Sequence, residues 1–255
     1  LYSIRVRSTD SGNLFTEKTF TISITNVNEA PSITSSSTVN AAENQTAVQT
    51  VTATDPDAST TLTYSISGGA DAAKFSINPS TGVLTFLTAP NFESPTDVGA
   101  DNVYNVTVQV SDGTLTDAKA VAVTVTNVNE SPSGIAVSAL TLAENNAVGA
   151  VVGTLTAVDP DVGDAVVFSL VAGAGDTDNA SFTISGNTLK TTAGFNYEGK
   201  NLYSIRVRST DSGNLFTEKT FTISITNVNE APSITSSSTV DRKSTRLNSS
   251  HVSES

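Results

Sequence analysis

The chain has no cysteine, no methionine and no tryptophan. Without cysteine no disulfide can staple a small core, so each domain must bury enough apolar surface unaided or borrow a metal. Without methionine, residue 1 is not a natural start, and any signal peptide is expected outside this piece. Aromatic residues make up only 6% and hydrophobic residues 37%, a lean core of Val, Ile, Leu and Phe of the kind that fills β-sandwiches. No apolar run approaches the length of a membrane span. Positive charge is scarce: 13 Lys and Arg stand against 25 Asp and Glu, for a net charge of −12. Such a surface repels phosphate backbones and anionic lipid, which argues against a nucleic-acid partner, and it attracts divalent cations.

Histidine is almost absent too. The only one, His251, lies in the last fifteen residues, Asp241 to Ser255, reading DRKSTRLNSSHVSES. That stretch breaks the composition abruptly with Arg242, Lys243 and Arg246, and it resembles the in-frame translation of a short-read sequencing adapter. It is set aside as non-native. Histidine-based catalysis and imidazole metal sites then drop out. No G-x-S-x-G and no Gly-rich phosphate loop stands between a strand and a helix. Paired carboxylates exist, but in repeated motifs rather than once in a unique pocket, so the chain is not expected to be an enzyme.

What is present is repetition. Leu1–Val39 recurs without change as Leu202–Val240, and inside that period lies a shorter one of about 100 residues. NVNEAP at 26–31 returns as NVNESP at 127–132 and NVNEAP at 227–232. AEN stands at 42–44 and 143–145, DPD at 55–57 and 159–161, and NFE at 91–93 is echoed by NYE at 196–198. The 255 residues hold about two domains. The expected division is a truncated repeat at 1–30, full repeats at 31–131 and 132–231, the start of another at 232–240, and the tail at 241–255.

Within each repeat the apolar residues alternate. Tyr104, Val106, Val108 and Val110 do so, as do Val121, Val123 and Val125, then Tyr203, Ile205 and Val207, and Phe221, Ile223 and Ile225. Strict period-2 alternation means strands with one buried and one wet face. Gly68-Gly69, Asp112-Gly113, Gly186-Asn187 and Ser212-Gly213 supply turns. In the repeat 132–231 the pattern predicts about seven strands, near 135–141, 150–157, 165–171, 181–184, 187–191, 202–209 and 217–226. The fold class is therefore all-β, tandem seven-stranded Greek-key β-sandwiches arranged end to end. Arg206 and Arg208 alternate outward and read as solvated surface. Tyr2, Tyr203, Phe92 and Tyr197 read as core or loop anchors.

Acidic and amide residues gather where repeats meet. The loops Asn127-Val128-Asn129-Glu130, Asp159-Pro160-Asp161 and Thr210-Asp211-Ser212 fall at the central junction. If the repeats stack end to end, Glu43, Asn91 and Glu93 join them. Like charges packed this way push apart unless a hard cation neutralises them, and calcium takes six to eight oxygen ligands in flexible geometry. The competing reading is that Asp and Asn merely stabilise turns.

The order AEN, DPD, NFE or NYE, S-D-G or T-D-S-G, then NVNE-A/S-P resembles the cadherin repeat, especially its bacterial cadherin-like versions, over residues 31–231. The resemblance implies calcium between successive repeats, stiffening the chain. It implies ligands at Glu43, Asn91, Glu93, Asn127, Asn129, Glu130, Asp159, Asp161 and Asp211 for the central junction. Upstream it implies Asn26, Asn28 and Glu29 with Asp55, Asp57 and Asp112, and Asp10 in the role of Asp211. Downstream it implies Glu144, Glu198, Asn227, Asn229 and Glu230. The family pattern has Asp where this chain has Asn26, Asn91, Asn127, Asn196 and Asn227. Each such change removes a charge, so binding is expected to be weak, about 10⁻⁴ to 10⁻³ M.

The expected function is that of calcium-binding structural and adhesion repeats of a large cell-surface or secreted protein, bacterial, extracellular and membrane-associated, with homophilic contact among the readings. Its partners are calcium, neighbouring repeats, and another cell-surface protein or a glycan. The alternatives are a calcium-independent immunoglobulin-like spacer, or carbohydrate-binding accessory modules of a secreted enzyme.

Overall fold

A computed structural model describes residues 1–233. The tail at 241–255 and most of the expected repeat start at 232–240 lie outside the described residues. Strands β1 (Tyr2–Thr9) and β2 (Phe15–Ile22) form an antiparallel hairpin. There follow β3 (Ser32–Ile33), β4 (Thr38–Ala42), β5 (Ala47–Thr50), β6 (Ala53–Thr54), β7 (Thr63–Gly68), β8 (Phe75–Ile77), β9 (Val83–Phe86), β10 (Val103–Ser111) and β11 (Thr116–Thr126). The next set is β12 (Ser133–Val137), β13 (Thr141–Ala143), β14 (Val151–Val158), β15 (Val167–Leu170), β16 (Phe182–Ser185), β17 (Thr188–Thr191), β18 (Leu202–Thr210) and β19 (Phe216–Thr226). A single 3-10 turn precedes β8 and another precedes β16. The chain divides into two compact units, Leu1–Ser131 with the loop Asp159–Asp164, and the remainder from Pro132 onward.

In the first unit, one sheet runs β4-β11-β10-β7 and the facing layer holds β5-β9-β8 with the short pair β3-β6. The alternating valines of β10 and β11 turn inward, and Val108, Val110 and Val123 are fully buried. Phe75, Phe86 and Tyr104 close the core from both layers, with Phe75 and Phe86 stacked at 4.6 Å and Tyr104 edge-on to Phe86 at 5.2 Å.

The second unit repeats the plan with sheets β12-β14-β17-β16 and β13-β19-β18-β15. Six of the expected strands match β14 to β19 to within two or three residues. The seventh, expected over 135–141, is instead two pieces on different sheets. β12 pairs antiparallel with β14, while β13 pairs parallel with β19. The chain crosses between sheets at 138–140, so close to β14 that a Cβ on Gly153 would sit 2.9 Å from the Ala139 nitrogen. The inward positions are 135, 137 and 139 before the crossover and 142 and 144 after it, so the period of two slips by one residue there.

One sequence appears in two environments. Ile205, Val207, Phe221 and Ile223 are 0 to 7% exposed in β18 and β19, whereas the same residues in the N-terminal hairpin, Ile4, Val6, Phe20 and Ile22, are 44 to 49% exposed. The hairpin carries the apolar face of a sandwich sheet with no facing sheet among the described residues. Tyr2, expected to be an anchor, is accordingly 63% exposed. Arg206 and Arg208 point outward as expected, but both clamp Glu218 rather than standing free in solvent.

Candidate metal centre

Glu43 follows β4 and is 2% exposed. Its Oε1 accepts the Val128 amide at 2.8 Å and its Oε2 the Phe92 amide at 2.7 Å. It thus ties the end of β4 to the linker and to the NFE loop. Glu144 does the same in the second unit, accepting Val228 at 2.7 Å and Tyr197 at 2.8 Å. These bonds, that from Val228 first, hold the Glu144 carboxyl below the usual carboxylate range.

Around Glu43 the first unit concentrates charge. Glu43, Glu93 and Glu130 each bring an oxygen within 4.8 Å of the others, and Asp159, Asp161 and Asp164 form a second such group. The Glu130 amide donates to Asp161 Oδ2 at 2.8 Å, so the Asp159–Asp164 loop packs on the linker. Glu93 Oε2, Glu130 Oε2 and Asp161 Oδ1 are buried without a hydrogen-bond partner. Burial pushes the Glu93 carboxyl up, and the charges of Glu43, Glu130 and Asp161 push it further. Glu130 is raised likewise by burial and by Glu43, Asp161 and Asp159, although Asn44 donates to it. A buried carboxylate oxygen without a donor costs free energy that a hard cation relieves. The donor set is all oxygen and suits calcium better than a transition metal.

The upstream acids are arranged differently. The Asn26 amide donates to Asp57, the Glu29 backbone N–H donates to Asp57 Oδ2 at 2.9 Å, and Asn28 donates to Asp112 Oδ2 at 2.7 Å. Donation from Asn26 and then Glu29 lowers Asp57, and donation from Leu115 and then Asn28 lowers Asp112. Asp55 Oδ1 accepts from Asp57, while its Oδ2 is buried without a partner. Here amides, not other carboxylates, face most of the acid.

In the second unit, Glu144, Glu198 and Glu230 bring oxygens within 4.8 Å of one another. Asn227 donates to Glu198 at 2.9 Å and Asn145 to Glu230 at 2.5 Å. Asp211 Oδ1 accepts Leu215 at 2.8 Å, and Asp10 accepts Gly12 and Leu14 at 2.9 Å in the matching turn of the hairpin. Asp10 is exposed and joins no acidic group among the described residues. Asn91 caps its own loop, accepting Ser94 at 2.6 Å. Asn127, Asn129 and Asn229 lie in the linkers, outside any strand.

Sequence reasoning missed three contributors. Asn44, in the left-handed region at φ 60°, aims its amide at Glu130, and Asn145 at φ 57° does the same to Glu230. The recurring Asn of AEN was the available signal. Asp164 completes the group with Asp159 and Asp161, and the run DPDVGD carried it in plain view.

Tandem β-sandwiches with acidic groups at loop and linker positions define a class of β-sandwich repeat proteins. The cadherin domain model matches residues 36–129 and again 138–226, so the chain belongs to the cadherin family. It is 29% identical over 180 residues to protocadherin Fat 2 of Rattus norvegicus, which covers 66% of this chain and 4% of that protein. It is 28% identical to protein dachsous of Drosophila melanogaster over 90% of this chain and 7% of that protein. Against human protocadherin gamma-C4 it is 31% identical over 71% of this chain and 20% of that protein. The chain therefore spans a small part of these relatives. Among solved structures, human protocadherin-24 EC1-2 superposes with a TM-score of 0.58 at 24% identity, covering 79% of this chain and all of that one. Mouse cadherin-23 EC22-24 gives 0.52 at 22%, covering 79% and 67%. These likenesses fix the fold. No described helix is long and apolar enough to cross a membrane.

Proposed function

We propose that the chain is a stretch of calcium-binding structural and adhesion repeats from a large cell-surface or secreted protein, in which calcium held at the junctions stiffens the array. The repeats run 31–131 and 132–231, with parts of neighbours at 1–30 and 232–240, and the tail at 241–255 is foreign. The motif resemblance stated above supports a bacterial surface origin as part of this reading. Homophilic contact and contact with another cell-surface protein or a glycan belong to the same reading.

One observation carries the calcium assignment: buried oxygens of Glu93, Glu130 and Asp161 lack donors inside a crowd of carboxylates. Glu43, Glu93, Glu130, Asp159 and Asp161 would hold the ion, with Asn127, Asn129 and Asp211 as further oxygen donors. The ion would supply charge neutralisation, and the chain's own residues do the rest. Glu43 holds the linker and the NFE loop in place, and Asn44 orients Glu130. Glu144, Glu198, Asn227, Asn229 and Glu230 would serve the downstream junction.

Thermal unfolding of the chain with calcium, with magnesium and with chelator tests the reading. A rise of several degrees specific to millimolar calcium is expected, because a ligand bound only by the native state adds RT ln(1 + [L]/Kd) of stability. Equal midpoints in all three conditions would remove the metal assignments.

A second reading is supported at the upstream junction. There Asn26, Asn28 and the Glu29 amide already satisfy Asp57 and Asp112, as a calcium-independent spacer requires.

A further inference from the structure

The two repeats differ most after their NFE and NYE motifs. The second passes from Asn196 to β18 through NYEGKN at 196–201, whereas the first uses NFESPTDVGADN at 91–102, six residues more. The long loop is held firmly. Asp97, 6% exposed, accepts the amides of Asp101 at 3.0 Å and Asn102 at 3.1 Å. Asp71, 3% exposed, accepts Val98 at 2.8 Å and Asn105 at 2.8 Å. Asp178, its counterpart in the second repeat, accepts Ser204 in the same way but gives its other oxygen to Lys200 of the short loop. Ala100 and Asn102 sit in the left-handed region at φ 51° and 63°. A long loop pinned by two buried carboxylates, with a strained alanine, serves something other than chain connection.

The loop walls a cleft of about 660 Å³ over the end of the core. In the second repeat the ring of Phe195 lies beside Tyr203, at 4.4 Å between centroids, and Lys200 lies 4.8 Å from the Tyr203 ring. The first repeat has Pro90 where the second has Phe195, and its third ring comes from Phe86 instead. The cleft is lined by the exposed Leu87 beside the buried Phe86 and Pro90, and by the exposed Ser94 and Thr96. Lys74 stands at its edge. No carboxylate lines it, in a chain of net charge −12, and Lys74 makes no ion pair among the described residues. An apolar wall, clustered hydroxyls and one unpaired cation match a sugar ring bearing a carboxylate, and the volume suits one or two rings.

We propose that this cleft in the first repeat binds an acidic sugar of the uronic-acid class, with Lys74 receiving the carboxylate and the 91–102 loop holding the ring hydroxyls. The cleft shares Asn91 and the 91–102 loop with the calcium assignment, and the test is arranged to separate the two. The test is a titration of the full chain with glucuronate, and with glucose as the neutral control, followed by amide NMR in chelator. Chelator removes calcium as a bridge between sugar and protein. Glucuronate is expected to shift the amides of Lys74, Leu87, Ser94 and Thr96 with a Kd of about 1 to 10 mM. Lys74→Gln is expected to weaken it about tenfold while leaving the rest of the spectrum unchanged. Glucose is expected to bind at least as weakly as glucuronate binds the variant. No shifts at about 50 mM glucuronate, shifts unaltered by Lys74→Gln, or equal affinity for glucose would each overturn the proposal.

Discussion

The Val128 amide donates to Glu43 Oε1 at 2.8 Å, so a buried carboxylate at the end of β4 holds the linker 85 residues away in sequence. The other oxygen holds Phe92. Glu43 therefore has a structural task whether or not an ion is present. Replacing it by alanine leaves two part-buried amides without their acceptor, at about 1 kcal/mol each. Glu43→Ala is expected to lower the thermal midpoint of the first unit by several degrees even in chelator. An unchanged midpoint in chelator would show that Glu43 acts only through the ion.

Glu130 behaves in the opposite way. Its burial and its neighbours Glu43, Asp161 and Asp159 raise its carboxyl, which means that its charged form is disfavoured in the folded chain. Glu130→Gln removes repulsion and keeps the shape. In chelator the variant is expected to equal or slightly exceed the parent in stability, and in calcium it is expected to lose most of the calcium-induced rise. Measuring both midpoints separates a ligand from a staple, because Glu43→Ala loses stability in both conditions.

Much of this was legible beforehand. The alternation of Tyr104 to Val110 and of Val121 to Val125 predicts strands β10 and β11, because one buried face per strand leaves a period of two in the sequence. The recurrence of AEN, DPD and NVNE marked the acidic groups, because a motif copied at matching positions has a copied role. The crossover at 138–140 left a mark that a single strand over 135–141 overlooks, since the apolar phase slips from Ile135 and Val137 to Leu140 and Leu142. Asp71 and Asp97 were hidden. Their partners are backbone amides at 98, 101, 102 and 105, which no side-chain pattern reveals. The exposure of the β1–β2 face agrees with the truncated repeat expected at 1–30, whereas the identical residues of β18 and β19 are buried within a full repeat.

That exposure carries its own prediction. A two-stranded hairpin is marginal alone, and its bare Ile4, Val6, Phe20 and Ile22 add nothing to either core. Deleting residues 1–24 retains Asn26, Asn28 and Glu29, and it is expected to leave the thermal midpoint within about 2 °C. It is also expected to reduce self-association in sedimentation, since an uncovered apolar sheet face promotes it. A large fall in midpoint would mean that the hairpin supports the first unit.

At Gly153 the prediction is steric. Its φ is not in the left-handed region, so only space is at issue, and a methyl there would meet the Ala139 nitrogen at 2.9 Å and its carbonyl oxygen at 3.0 Å. Both are backbone atoms at the sheet crossover and yield little. Gly153→Ala is expected to cost about 1 to 3 kcal/mol, read as a lower denaturation midpoint of the second unit. Gly186→Ala is a contrasting control. Its methyl meets nothing within 4 Å, and the cost there comes from φ 61° alone.

The last prediction concerns acid. Arg208 and then Arg206 hold the Glu218 carboxyl below the usual carboxylate range, through hydrogen bonds across β18 and β19. A depressed folded value means that the unfolded chain binds the proton more readily. The stabilisation is therefore complete above the unfolded value, about pH 4.3, and is lost as pH falls through the lower folded value. Glu218→Gln is expected to be less stable than the parent at neutral pH. The difference should shrink steadily below about pH 4 and vanish once Glu218 is protonated in both states. Raising salt at neutral pH is expected to narrow the same gap, because the pair lies near the surface and is screened. A gap constant from pH 7 down to the acid limit would assign the loss to altered packing rather than to the ion pair.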